Sequence, residues 1–123
     1  MAKIFLDANI LIDLIEMRGR ITPAELDKHD VFISPLSVHI LMYITKHKVP
    51  YEYLSQTITS FIQTQFDEHI VHLALTGPTI DFEDNVQLHS AAEAACDVFL
   101  TEDKKLLDMK FFGKMAVSLS LRL

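Results

Sequence analysis

Hydrophobic positions fall into two kinds of run. Short, mostly apolar stretches at Lys3 to Leu6, Val31 to Ile33, Ile70 and Val71, Val98 to Leu100, and Met115 to Val117 read as five strands. Between them, apolar residues recur at helical spacing. Ile10, Leu11, Leu14 and Ile15 predict a first helix that dissolves near Arg18-Gly19-Arg20. Thr22-Pro23-Ala24-Glu25 supplies an N-cap, a first-turn proline and an acidic third position, which start a short second helix. Ser34-Pro35 opens a third helix with Leu36, Ile40, Leu41 and Ile44 on one face, and Pro50 starts a fourth through about Thr64. After Asp81-Phe82-Glu83-Asp84, residues Leu88, Ala91, Ala92, Ala95 and Cys96 mark the clearest helix, and their mostly small side chains suit close packing on a sheet. Asp103 to Met109 reads as a last short helix, and an edge tail follows the fifth strand.

Apolar strands alternating with helices predict a parallel sheet covered on both faces. The expected fold is therefore a three-layer α/β/α sandwich with a mostly parallel central sheet, and residues 1–123 read as a single domain. Such sheets carry functional groups just beyond the carboxyl ends of their strands. Asp7 follows the first strand directly, and Asp103 stands three residues beyond the fourth. Asp84 lies in the first turn of the helix that precedes the fourth strand. A crossover helix runs antiparallel to its strands, so Asp84 is expected at the same edge. Asp97 precedes a strand and belongs at the opposite edge.

Gathering three carboxylates is unfavourable. Two unit charges ~4 Å apart repel by about 4 kcal/mol at an effective dielectric of ~20. A divalent cation such as Mg²⁺ or Mn²⁺, which prefers oxygen ligands, removes that conflict and suits phosphodiester hydrolysis. A plain structural use competes, since Asp7, Asp81 and Asp103 all stand where a helix N-cap is needed. Asn9 is either a partner that orients Asp7 or an early helical polar residue. Thr101 either positions a water or phosphate or caps the last helix. Glu83 is either a further ligand or solvated.

Charge narrows the options. Eleven Lys and Arg against seventeen Asp and Glu leave a net charge of −6 with His neutral, which argues against coating nucleic acid by bulk charge. It leaves room for a nuclease whose metal ions carry the positive charge. The single cysteine, Cys96, cannot form an internal disulfide, which fits a cytoplasmic protein. The opening segment does not read as a signal peptide, and no run approaches the ~20 apolar residues of a membrane span.

Three segments carry a resemblance. Phe5-Leu6-Asp7-Ala8-Asn9-Ile10-Leu11-Ile12-Asp13 resembles the opening motif of PIN domains. Asp81-Phe82-Glu83-Asp84-Asn85-Val86-Gln87 resembles the central acidic motif of one PIN subfamily, and Ala95 to Asp103 resembles that subfamily's strand-to-acid segment. The resemblance extends over nearly the whole chain. It implies a metal-dependent ribonuclease fold, with the metal-site and catalytic acids falling on Asp7, Asp84 and Asp103. Small single-domain members are often VapC-type toxins, which implies an RNA substrate and an antitoxin partner. The chain departs from the pattern at Ile40, where PIN domains usually carry a glutamate. Either the three acids suffice, or Glu83 or His39 beside it compensates, or activity is weak or lost and the fold binds RNA or protein without cutting. Glu102, before Asp103, adds a negative charge that would strengthen metal binding.

The remaining features carry less. His69-x-x-His72 has no cysteine or acid spacing of a structural zinc site. Lys46, Lys48, Lys104, Lys105 and Lys110 are candidate phosphate contacts, and Tyr51 and Tyr53 would stack on bases or pack a helix. Met42, Ile44, Phe61 and Ile62 exceed what one small core needs and suit a homodimer or antitoxin interface. A phosphoacceptor receiver domain needs an aspartate after the third strand and a lysine after the fifth. Here Val71 is followed by His72 and Val117 by Ser118.

Overall fold

A computed structural model describes residues 1–121. In chain order the elements are β1 (Lys3–Leu6), α1 (Ala8–Ile15), α2 (Pro23–Leu26), β2 (Asp30–Ile33), α3 (Pro35–Thr45), α4 (Glu52–Ile58) and β3 (Ile62–Gln63). Next come α5 (Glu68–Thr76), α6 (Phe82–Glu93), β4 (Val98–Leu100), α7 (Lys104–Leu107), β5 (Phe111–Phe112) and β6 (Met115–Ser118). The strands form one sheet in the order β3-β2-β1-β4-β6-β5. All neighbours are parallel except β5 and β6, which form an antiparallel hairpin at one edge.

The alternation of side chains along each strand builds two cores, one on each face. From β1, Ile4 and Leu6 pack on one side with Val31 and Ile33 of β2 and Val98 and Leu100 of β4. The apolar stripe of α1 and Leu41 of α3 cover that side. Phe5, Phe32 and Phe99 point the other way, toward Leu88 and Ala91 of α6, Leu106 and Val117. Phe5 and Phe99 stack there with ring centroids 5.3 Å apart. Central strands buried on both faces explain why their sequence reads as unbroken apolar runs.

Two expected elements change. Ile70 and Val71 are not a strand but lie inside α5, which Asp67 caps by accepting the Ile70 N–H at 3.1 Å. Ile70 and Ala74, one turn apart, are the buried face of that helix. The strand beside β2 is instead Ile62–Gln63, within the stretch expected to be helical. After Ile58 the backbone tightens, with the N–H groups of Thr59, Ser60 and Phe61 donating to the carbonyls three residues back, and α4 ends there. The edge partner of β6 is Phe111–Phe112, just ahead of it in the chain. Gly113 turns that hairpin with φ of +62°. No helix among the described residues is long and apolar enough to cross a membrane.

Candidate functional site

Two strand ends, of β1 and β4, and three helix starts, of α1, α6 and α7, converge at the carboxyl edge of the sheet. Leu6 leads directly into Asp7, whose backbone N–H donates to the Leu100 carbonyl of β4 at 3.0 Å, locking the end of β1 to its neighbour. Asp7 caps α1, and its Oδ1 accepts the Ala8 N–H at 2.8 Å. Its Oδ2 accepts from the hydroxyl of Thr101, which follows β4, at 2.7 Å. That hydroxyl also accepts the Asp103 N–H at 3.0 Å. Thr101 thus ties the first acid to the backbone of the third with one buried oxygen. Asp103 in turn caps α7, accepting the Lys105 N–H at 2.9 Å.

Asp84 arrives from the first turn of α6. Asp81 caps that helix by accepting the Asp84 N–H at 3.0 Å. The loop before it is held by Asn85, which is buried. The Asn85 side-chain amide donates to the carbonyls of Ala74 and Thr79, at 2.9 and 3.0 Å, and its Oδ1 accepts from the Thr79 hydroxyl at 2.6 Å. One turn further along α6, Gln87 is buried against Ser37 of α3. Its amide donates to the Ser37 hydroxyl at 2.9 Å, and that hydroxyl donates to Gln87 Oε1 at 3.2 Å. This polar pair fastens the start of α6 to the start of α3.

The acids act on one another. Asp7 is 5% exposed, and burial raises its pKa above the ordinary aspartate value. The bonds from Thr101 and Ala8 oppose that rise, while Asp103 and Asp81 add to it. Asp84 is half-buried and is pushed up to about 7, first by desolvation and then by repulsion from Asp81, Asp7, Asp103 and Glu83. Every charged neighbour that raises Asp84 is itself an acid. The ion pairs among the described residues lie elsewhere, at Arg18–Asp13, His47–Glu16 and His69–Glu93.

The expected supporting residues separate. Thr101 is central, and in a second way than expected, since it links two acids rather than capping α7. Asn9 and Glu83 are exposed, and Glu83 acts on Asp84 only through its charge. His39 is exposed on α3 and stacks on Tyr43 at 6.4 Å. Glu102 turns away from the acids and shares a hydrogen bond with the Asp13 carboxyl, which raises its pKa. Ile40 is half-buried and packs against the core beside α1, so no carboxylate enters from that position. Asp81, Asn85, Ser37 and Gln87 were not among the expected functional residues. Asp81 had a visible signal, a carboxylate three residues before Asp84, but it also fits a plain cap.

The donor set fits a hard divalent cation. It offers oxygen ligands only, and among the described residues no cationic side chain offsets their repulsion. Among the described residues, no group of three His, Cys, Asp or Glu side chains is arranged to hold an ion as it stands. Mg²⁺ commonly takes one or two protein carboxylates and completes its shell with water and substrate phosphate. Asp7, Asp84 and Asp103 offer carboxylate oxygens of that kind without forming a closed cage.

The sheet order, the helical layers on both faces and the acidic edge define a PIN-like α/β fold. No family model and no curated protein sequence matches the chain. Two solved structures share the fold. A chain of VapBC2 from Rickettsia felis, bound to a DNA fragment from their promoter, superposes with a TM-score of 0.66 at 13% identity, over 94% of this chain and 97% of that one. A chain of FitAB bound to the IR36 DNA fragment superposes with a TM-score of 0.52 at 18% identity, over 94% of this chain and 93% of that one.

Proposed function

We propose that the chain is a divalent-metal-dependent endoribonuclease that hydrolyses RNA phosphodiester bonds, and that it is the toxin of a toxin–antitoxin pair. The observation that carries the reading is the group of Asp7, Asp81, Asp84 and Asp103 at one sheet edge, with Asp84 raised to about 7 by burial and then by its acidic neighbours. Asp84 and Asp103 would hold Mg²⁺ or Mn²⁺, with Asp7 fixed behind them by Thr101. Such an ion lowers the pKa of a bound water and shields the charge of the scissile phosphate. The chain's own part is positioning. Thr101 fixes the carboxylate of Asp7 and the backbone of Asp103 together, and the Ser37–Gln87 pair holds α6 so that Asp84 faces them. Lys104 and Lys105, on the helix that Asp103 caps, are exposed and suited to phosphate contact.

The toxin reading is supported by the shared fold with chains of VapBC2 and FitAB, which are two-component complexes. An antitoxin would act by covering the acids or by inserting a basic side chain among them. The exposed apolar residues Tyr43, Ile44, Val49 and Ile62 supply surface for that partner or for a second copy. The setting would be cytoplasmic. A second reading, a PIN-like module that binds RNA or protein without cutting, is favoured by Ile40, an apolar residue packed on the core where the family glutamate belongs.

The test is incubation of the purified chain with a structured RNA mixture and Mn²⁺ or Mg²⁺. The proposal expects cleavage that EDTA, Asp7→Asn and Asp84→Asn each abolish. Mn²⁺ binding without cleavage of any RNA, the cognate species included, would select the second reading.

A further inference from the structure

The turn after α1 reads Arg18-Gly19-Arg20 and is fixed against Asp13 of that helix. The Arg18 backbone N–H donates to the Asp13 carbonyl at 2.8 Å. Gly19 has φ of +102°, and a Cβ there would stand 3.0 Å from Asp13 Cβ, so a larger residue would push the turn off the helix. Arg18 Nε donates to Asp13 Oδ1 at 3.0 Å. That bond uses one donor of the guanidinium and orients the rest. Both terminal amino groups are left without a partner among the described residues, on a side chain 67% exposed. Arg20 is exposed and makes no ion pair among the described residues. Glu102 joins this turn to the acidic edge. It stands directly before Asp103, shares a hydrogen bond with Asp13, and feels the charge of Arg20. Asp13, Arg18, Gly19, Arg20 and Glu102 line one depression.

The two helical layers place cations on both flanks of the acids. Helix α1 packs on the core of Ile4 and Leu6, whereas Leu106 of α7 packs on the opposite core of Phe5 and Phe99. Arg18 and Arg20 therefore stand on the α1 side of Asp103, and Lys104 and Lys105 on the α7 side. A metal ion among the acids shields the phosphate it touches. The neighbouring phosphates of the same strand face an edge that is otherwise negative, and they need cations of their own. We propose, resting on the ribonuclease reading, that Arg18 and Arg20 bind the phosphate groups next to the one that is cut, holding the RNA strand across the acids toward Lys104 and Lys105. An arginine fork suits this ligand, because it meets phosphate oxygens with two parallel N–H donors. Asp13 acts as a positioning residue, since its bond to Nε leaves the outer edge of the Arg18 fork turned to solvent.

Amide NMR of the full chain titrated with decauridylate in EDTA tests the contact without cleavage. The proposal expects saturable shifts at Arg18, Gly19 and Arg20, with a Kd that rises steeply with salt. Arg18→Gln and Arg20→Gln should each weaken binding by about fivefold at low salt and lower the slope of log Kd against log salt by ~0.7, the share of one phosphate contact on a single strand. Lys28→Gln removes the same charge from an exposed position just before β2, at the opposite edge of the sheet, and should leave Kd and slope unchanged. With Mn²⁺ present, the arginine variants should raise KM for RNA cleavage and leave kcat nearly as it was. Shifts confined to other residues, a slope unchanged in both arginine variants, or an equal loss in Lys28→Gln would overturn the proposal. Tighter binding of hexaglutamate than of decauridylate would overturn it in favour of an acidic peptide. The expected binding from a chain that cuts no RNA would support the phosphate contact and overturn the ribonuclease reading alone.

Discussion

Replacing Asp84 with asparagine should stabilise the metal-free protein at neutral and higher pH. The Asp84 carboxyl accepts no hydrogen bond among the described residues, and Asp81 rather than Asp84 caps α6, so the substitution removes a charge and little else. In the folded chain Asp84 titrates at about 7, against an ordinary value of 3.8. Between those values the folded protein holds a proton that the unfolded chain has released. Stability therefore falls as pH rises through that window, and the full penalty is present above about pH 7. A gap of roughly 3 pKa units corresponds to ~4 kcal/mol at ~1.36 kcal/mol per unit. Asp84 is only part-buried, and solvent screening reduces that to ~1–2 kcal/mol. Urea denaturation of the wild type and Asp84→Asn, in EDTA, at several pH values from 4 to 8 measures it. The variant should be more stable by ~1–2 kcal/mol at pH 8, with the difference closing toward pH 4. An equal or less stable variant at pH 8, or a difference that does not narrow on acidification, would refute the electrostatic reasoning.

Thr101→Val removes the hydroxyl shared by Asp7 and Asp103 and leaves a buried carboxylate oxygen unpaired. It should cost ~1–3 kcal/mol in urea unfolding, and Thr101→Ser should recover most of the loss. Phe99→Ala deletes a fully buried ring that stacks on Phe5, and should cost ~3–5 kcal/mol by the same assay. Glu102 has its pKa raised by its bond with Asp13, so its folded form also holds a proton longer than its unfolded form. Glu102→Gln should accordingly raise the melting temperature more at pH 7 than at pH 4, and the reverse order would contradict that pairing.

Much of the fold was legible because the central strands are buried on both faces. Ile4 to Leu6, Val31 to Ile33 and Val98 to Leu100 carry no polar residue to blur the pattern. The edge strands were not legible. Ile62 and Gln63 are both exposed and pair for two residues only, so nothing in their local sequence separates them from a helix end. Ile70 and Val71 misled in the other direction, because two adjacent β-branched residues resemble a strand when the helical partner Ala74 is small.

The convergence of acids followed from chain direction alone. Asp7 and Asp103 each act on Asp84, as strand ends and a crossover helix start at one sheet edge require. The supports for those acids were hidden. A threonine after a strand looks like a cap, and only the folded chain shows its hydroxyl reaching back across 94 positions to Asp7. Gln87 and Ser37 are polar residues in apolar surroundings whose partnership spans 50 positions. Glu102 shares its hydrogen bond with Asp13 of α1, a partner that the motif around Asp103 does not report.

The central claim is that the acidic edge is a divalent-cation site, and a calorimetric titration of the purified chain with Mn²⁺ addresses it most directly. The account predicts saturable binding that releases protons near pH 7, as Asp84 gives up its own, and that is lost in Asp84→Asn and Asp103→Asn. No saturable binding, or binding unchanged in both variants, would contradict it.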